Sequence, residues 1–173
     1  MIEYMKLLSN YNQNANNAIL DIFRNLSEED LFKNHGSFVK SLSGLMNHIA
    51  EGEVYFLKQL KTAFPKYTFL HHKFSSLDLK YNEINFPLFD DLAECVTTCD
   101  SCYKNFIESL DSALLNMKIS INSFDGKKEW TVAFLLLQAI THSTHHRSQI
   151  SQILDEIGIT NNYSGLPELD SIK

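Results

Sequence analysis

The sequence predicts an all-α protein, a four-helix bundle. Four segments of about 20 residues or more repeat apolar residues at steps of three or four, the spacing of one helix face. Glycine and proline are scarce, six and three among 173 residues, which disfavours a turn-rich β-sandwich. With 44% hydrophobic and 21% charged residues, the composition is that of a globular protein. We expect residues 1–173 to form a single domain.

The first half of the chain predicts two long helices and a short one. The first long helix covers residues 2–25, and its middle is rich in asparagine. Ser27 is a suitable N-cap for a short helix at residues 28–33. The second long helix covers residues 42–62, and Pro65 limits its extension.

The second half contains a long connection and two further helices. Residues 64–86 are aromatic and loop-like, and a connection of this length suggests that it covers something. The third helix follows Pro87 and reaches about Asn116. Residues 118–130 could form a small β-hairpin, with Asp125-Gly126 as its two-residue turn.

The fourth long helix is bounded by recognisable signals at both ends. Thr131 is a natural N-cap, and Gly158 is suited to stop the helix just after Ile157. This helix contains the stretch THSTHHRSQ (residues 141–149), which concentrates three of the seven histidines.

Charge and targeting signals exclude several classes of protein. A net charge of −6 and a pI near 5.6, with no cluster of Lys and Arg, argue against binding to nucleic acid or anionic membranes. The N-terminus has no basic start followed by an apolar block, and no apolar run approaches the ~18–20 residues of a membrane span. We expect a soluble cytoplasmic protein.

The three cysteines are spaced C-x3-C-x2-C, which also matches the iron–sulfur triplet of radical-SAM enzymes. Cys95, Cys99 and Cys102 lie inside a helical apolar pattern, whereas such a cluster needs thiolates that converge from a loop. We therefore interpret them as small apolar residues on one side of the third helix.

Two histidines of the fourth helix lie within its apolar stripe. His142 and His146 follow Leu135 and precede Ile150 at helical steps, so both should face the bundle interior. An i, i+4 pair presents two nitrogens to one ion, although the same pair also occurs on helix surfaces. A metal needs a third ligand, and His48 is the best candidate because it also lies in a long apolar-periodic helix.

Other polar residues near these histidines have alternative interpretations. His145 lies about 100° around the helix from His146, so it should flank the site or face a neighbouring helix. Glu51 and Glu53 are alternative oxygen ligands. Arg147 and Gln149 are assigned to helix packing or a dimer surface, while three histidines in loop-like segments are expected to be solvated: His35, His71 and His72.

These residues resemble the DinB/YfiT-like family over nearly the whole chain. The resemblance rests on YNQNANNAIL, LSEEDL, the segment LMNHIAEGE around His48, and THSTHHRSQI. In that family, one histidine of the second helix and an H-x-x-x-H-R-x-Q pair bind a divalent metal inside a four-helix bundle. The implied ligands here are His48, His142 and His146, and Ser148 stands where the family often has Gly or Ala.

The resemblance also implies candidate functions. The metal would be Zn, Ni, Mn or Fe, and relatives use it for hydrolysis or for transfer of a low-molecular-weight thiol such as bacillithiol or mycothiol. Thiol activation is the leading hypothesis, because formation of a thiolate by a Lewis acid needs no extra protein base. The alternative is a non-catalytic, metal-binding stress module. In either case we expect a homodimer.

Overall fold

The computed structural model describes residues 1–123, 125–163 and 165, and it confirms the predicted helical bundle with a small hairpin. Within these residues, five α-helices and two strands follow one another. They are α1 (Ile2–Phe23), α2 (Glu28–Phe32), α3 (Leu42–Ala63), α4 (Phe89–Ser109), β1 (Lys118–Ser123), β2 (Gly126–Thr131) and α5 (Val132–Glu156). The four long helices are α1, α3, α4 and α5.

Side-chain caps fix where α2, α3 and α5 begin, and Ser41 provides the cap of α3. The hydroxyl of Ser27 accepts a hydrogen bond from the backbone N–H of Asp30 at the start of α2, as predicted. Thr131 caps α5 in the same way through the N–H of Phe134, at 3.2 Å. Such a cap satisfies one of the backbone donors that the first helical turn leaves unpaired. At the other end of α5, Gly158 adopts the positive φ of 76° that stops the helix.

The core lies where α3 packs against both α4 and α5, with α1 resting on α4 and α5. Its apolar side chains come from all four long helices. Cys95, Cys99 and Cys102 are buried in α4 as free thiols, as the helical pattern of that segment predicts.

The connection between α3 and α4 is mostly irregular, with two short 3-10 turns at Thr68–Leu70 and Lys73–Ser76. Its end is fastened to α3 through Asn47. The amide of Asn47 donates to the carbonyl of Phe86 at 3.1 Å and accepts from the N–H of Phe86 at 2.7 Å. The connection therefore lies against α3, as expected of a segment that covers something.

Two predicted boundaries were wrong. The third long helix ends at Ser109 and not near Asn116, because Asp111 accepts a hydrogen bond from the N–H of Ala113 and starts a separate 3-10 helix, Ser112–Asn116. In the hairpin, Ser123 pairs with Gly126. Gly126 is thus part of β2 and not of the turn, where the predicted Asp125-Gly126 turn placed it.

Two further expectations concern the extent of the chain and its relation to membranes. The predicted single domain reaches residue 173, and residues 166–173 lie outside the described part. No helix among the described residues combines the length and apolarity that crossing a bilayer requires.

Candidate metal centre

Three imidazole rings meet where α3 and α5 pack together. His48 comes from α3, and His142 and His146 come from successive turns of α5. One ring nitrogen of each lies within 4.8 Å of the other two, and the Nε2 atoms of His48 and His142 are 3.3 Å apart. Two nitrogens bound about 2.0–2.1 Å from a tetrahedral ion would lie about 3.3 Å from each other. These three residues, the histidine cluster, therefore have a spacing that could hold a divalent metal ion.

Hydrogen bonds on the outer nitrogens orient two of the rings. Nδ1 of His48 lies 3.2 Å from a carboxylate oxygen of Glu51, and Nδ1 of His146 lies 2.7 Å from the amide oxygen of Gln149. Both partners are acceptors, so each Nδ1 carries the proton and each Nε2 keeps its lone pair for the cluster. This is the arrangement that a histidine ligand needs.

The third ring, His142, is held by close packing against α3. A Cβ atom on Gly52 would lie 2.5 Å from Cε1 and 2.7 Å from Nδ1 of His142. Any side chain at position 52 would therefore displace the ring. Nδ1 of His142 is buried and has no hydrogen-bond partner in the described part of the chain. Packing, and not a polar partner, thus sets the position of this ring.

Burial keeps the rings of α5 neutral. The pKa of His142 falls from its usual 6.5 to about 3, first because burial disfavours the charged ring and then because His146, His48 and His145 lie nearby. Burial also lowers the pKa of His146. Metal ligation requires neutral imidazole, so both rings are in the required form at neutral pH.

A cavity of about 700 Å³ opens onto the histidine cluster. Its floor is α3, and the α3–α4 connection, the segment before α3, the end of β1 and α5 form its walls. Its lining combines aromatic and aliphatic residues such as Phe38, Phe56 and Tyr81 with polar residues such as Glu51 and Gln149. The long connection predicted to cover something thus forms one side of this cavity.

The other predicted site residues separate into distinct roles. His145 is exposed and lines the cavity beside His146, with ring centroids 4.8 Å apart, which agrees with the expected flanking position. Glu51 contacts the outer nitrogen of His48, and Glu53 is buried elsewhere. Neither carboxylate joins the only metal-competent group found among the described residues.

The predicted role of Gln149 was wrong, whereas Arg147 has one of its two predicted roles. Gln149 lies three residues after His146 and therefore on the same side of α5, where its amide reaches the ring. Arg147 does serve helix packing, but it lies inside the bundle with only 2% of its surface exposed.

Two of the three histidines expected to be solvated are not. Only His71 is exposed. Both ring nitrogens of His72 are buried, and burial, assisted by the charge of Lys61, lowers its pKa. His35 is half-buried with its Nε2 shielded from solvent. Turns that pack onto helices can bury side chains that a loop-like sequence pattern assigns to the surface.

A second buried group, missed from the sequence, lies next to the histidine cluster. It consists of one or two polar residues from each long helix, and we call it the polar core: Asn12, Asn16, Glu53, Asp100 and Arg147. The guanidinium of Arg147 donates to the amide oxygens of Asn12 and Asn16 at 2.6 and 2.9 Å. The amide nitrogens of the same asparagines donate to the two carboxyl groups.

Electrostatics set the proton content of the polar core. Burial, followed by the charge of Asp100, raises the pKa of Glu53 to about 8. Burial also raises the pKa of Asp100, to about 6, although Asn16, Asn12 and Arg147 stabilise its charge. Near pH 7, protonated Glu53, ionised Asp100 and cationic Arg147 sum to zero charge, which is the state that a buried site favours.

Comparison with known families agrees with this architecture. The model of the DinB family matches residues 1–168. The chain belongs to the DinB family. The resemblance seen in its motifs is thereby confirmed, and the helices and the three histidines of this DinB protein lie within the matched region. A search of curated proteins gave no match.

Proposed function

We propose that this DinB family protein is a metal-dependent enzyme that activates a low-molecular-weight thiol for S-transfer to a small electrophile. His48, His142 and His146 would hold one divalent ion, of which Zn, Ni, Mn and Fe are the candidates. The observation that carries the proposal is the cavity of about 700 Å³ that opens directly onto the three ring nitrogens. A site that serves only structure has no need of such space beside its ligands.

The hydrogen bonds of the two nearest carboxylates support a metal site with open coordination positions. A structural centre would be completed by a fourth protein ligand, and Glu51 and Glu53 are the nearest candidates. Glu51 instead accepts from His48 and from the backbone N–H of Asn82. One oxygen of Glu53 accepts from Asn12, Asn16 and Ser143 within the bundle. These contacts favour an enzyme over the alternative of a non-catalytic binding module.

A divalent ion held by three neutral imidazoles would act as a Lewis acid that lowers the pKa of a bound thiol or water. The protein's own contribution is to keep the imidazoles neutral and to aim them. Burial of His142 and His146 does the first, and Glu51, Gln149 and the close contact with Gly52 do the second. Phe38, Phe56 and Tyr81 place aromatic surface beside the cluster, where it would contact the body of a ligand.

In the proposed reaction, the thiol sulfur forms a bond to carbon of the electrophile while the bond from that carbon to its leaving group breaks. The thiol proton passes to solvent, and the leaving group departs with the bonding electrons. A hydrolase would use water in place of the thiol, and it would benefit from a free carboxylate as general base. Because both nearby carboxylates are engaged, we favour the thiol.

The test is a screen of the metal-loaded protein with bacillithiol, mycothiol and cysteine, each paired with alkyl halide and epoxide electrophiles. We expect consumption of the electrophile that depends on both thiol and metal and is lost in His142→Ala. Turnover with water alone would favour the hydrolase, and no turnover with any pair would favour the binding module. Sedimentation of the same sample would test the proposed homodimer.

A further inference from the structure

The cavity is elongated, because one helix provides its floor from end to end. His48, Glu51, Gly52, Tyr55 and Lys58 all line it, and they recur at steps of three or four along α3. Residues at this spacing lie on one face of a helix. Ten residues separate His48 from Lys58, which corresponds to about 15 Å along the helix axis. The cavity is thus a groove with the histidine cluster near one end and an ammonium group near the other.

The part of the groove closest to the cluster suits an apolar ligand body. Rings of Phe38 and Tyr81 lie at its mouth with centroids 5.9 and 5.8 Å from that of His48. Both side chains are unusually exposed for their type, at 60% and 54%. Large apolar residues exposed together beside a cavity indicate contact with a ligand.

Lys58 gives the far part of the groove a positive charge. Among the residues that the structure describes, it is the only lysine or arginine that lines the groove, and it is half-buried. One of its three donors is taken by the backbone carbonyl of Leu77. Within the described ranges it forms no ion pair. Its remaining donors are therefore free to bind an anionic group.

One acidic residue shares this end of the groove. Asp78 also lines it, next to the Leu77 carbonyl that holds Lys58. Asp78 is exposed, whereas Lys58 is half-buried. Water and salt screen an exposed charge more strongly than a partly buried one, so the ammonium dominates the field that a ligand would meet.

We propose that the groove takes an elongated thiol whose far end carries a carboxylate, and that Lys58 recognises this carboxylate. The inference rests on the proposed function, because it places the sulfur at the histidine cluster. An apolar or aromatic middle would lie between the two ends. Lys58 is then a specificity-determining residue: it selects the ligand by its charged end and takes no part in activating the sulfur.

A matched pair of peptides tests the inference. N-acetyl-Cys-Phe-Gly and its C-terminal amide differ only in the terminal carboxylate, and three extended residues span about 10 Å. The cysteine side chain at one end and the Lys58 side chain at the other would bridge the rest of the distance. Each peptide is titrated into the Co²⁺-loaded protein, and ligation is followed by the sulfur-to-cobalt charge-transfer absorption. We expect the acid to bind about threefold to tenfold more tightly than the amide, as one partly screened ion pair allows.

Variants of two lysines test whether Lys58 causes the preference for the acid over the amide. In Lys58→Met the two peptides should bind equally, because the methionine keeps the aliphatic stem and removes the charge. Lys58→Arg should restore the preference for the acid. Lys61→Met is the matched control: Lys61 lies one turn further along α3, donates to Ser75 and does not line the groove, so its loss should leave the preference intact. Circular dichroism checks that each variant is folded.

The outcomes separate this inference from the function on which it rests. A charge-transfer band with equal affinities for acid and amide in the wild-type protein overturns the inference and leaves thiol activation standing. A preference for the acid that survives in Lys58→Met also overturns it. No band with either peptide means that thiols do not reach the metal, which would refute thiol activation and the inference together.

Discussion

The histidine cluster and the polar core lie side by side on α3 and α5. The polar groups of the polar core bond to one another, whereas those of the histidine cluster face a cavity. In the polar core, the amides, carboxyls and guanidinium bond to one another across four helices, and every member is at most 4% exposed. In the histidine cluster, three ring nitrogens face one another beside a cavity of about 700 Å³. The polar core satisfies most of its own hydrogen bonds, although Oε2 of Glu53 and Nε of Arg147 have no partner in the described part of the chain. Groups that satisfy each other in this way stabilise a fold, whereas convergent unsatisfied acceptors beside a cavity are available to a ligand.

The two groups use neighbouring positions of the same two helices. His142 and His146 alternate along α5 with Ser143 and Arg147, which point to the polar core. On α3, His48 serves one group and Glu53 the other, little more than one turn apart. A single helix pair therefore supports both groups, and substitutions at neighbouring positions should have opposite consequences for metal binding and for folding.

Loss of a ligand should give the largest effect on function with little effect on folding. We expect the wild-type protein to bind about one divalent ion per chain and His142→Ala to bind none at stoichiometric concentration, because two imidazoles do not complete the site. The neighbouring His145→Ala should bind like the wild-type protein. Elemental analysis after dialysis measures both. Full metal content in His142→Ala would show that His142, like His145, is not needed for metal binding.

Loss of the cation from the polar core should have the reverse effect. Arg147→Met leaves buried carboxyl groups without their compensating charge, and removal of one partner from a buried charged network costs about 3–5 kcal/mol. Urea denaturation should show this loss in the free energy of unfolding. Metal content, measured on the folded fraction, should stay near that of the wild-type protein. A stability loss under 1 kcal/mol would mean that the network contributes little.

Gly52→Ala should disturb the histidine cluster through packing alone. The new methyl group would overlap the ring of His142, and such overpacking costs about 1–3 kcal/mol. We expect the affinity for Zn²⁺ to fall by about fivefold to a hundredfold in calorimetric titration. Gly36→Ala is a useful comparison, since it lies in open space away from α3, although its φ of 76° adds its own strain to the stability. Unchanged Zn²⁺ affinity in Gly52→Ala would show that His142 does not need its present position.

The smallest effect should be a pH dependence from the polar core. The pKa of Glu53 is raised to about 8, so the native state holds a proton that the unfolded chain releases near pH 4.3. Stability from this group is complete below the unfolded pKa and is lost as pH rises through the native one. Between pH 7 and 8.5 the loss should be about 1 kcal/mol.

Glu53→Gln provides the comparison for that slope. The substitution replaces the carboxyl group with an amide that does not titrate, so the difference between the two slopes isolates the carboxyl group. We expect the variant to lose less stability than the wild-type protein over the same pH range in urea denaturation. Parallel slopes would show that Glu53 is ionised in the native protein at pH 7.

The sequence predicts the histidine cluster better than the polar core, for a physical reason. His142 and His146 stand out because they interrupt an apolar stripe, and His48 does the same on α3. Glu53 and Asp100 occupy core phases of their helices too, but a charged residue is usually solvated, and each has its partners on other helices. Only the packing of α1, α3, α4 and α5 shows that the five residues of the polar core meet.

Some details of the site could have been read from the sequence, and others could not. Glu51 and Gln149 each lie three residues after a histidine ligand candidate, a spacing that places side chains together on a helix. The contact of Gly52 with His142 joins residues 90 positions apart and depends on how closely α3 and α5 approach. The groove likewise depends on the α3–α4 connection, whose folding no periodic pattern predicts.

X-ray absorption at the zinc edge is the most direct test of an open three-histidine centre, because it counts the ligands of the ion in the Zn²⁺-loaded protein. We expect three imidazole nitrogens at about 2.0–2.1 Å together with one exchangeable ligand such as water. Addition of a small thiol should replace that ligand with one sulfur at about 2.3 Å. A shell already filled by protein ligands, unchanged when the thiol is added, would contradict an open three-histidine centre.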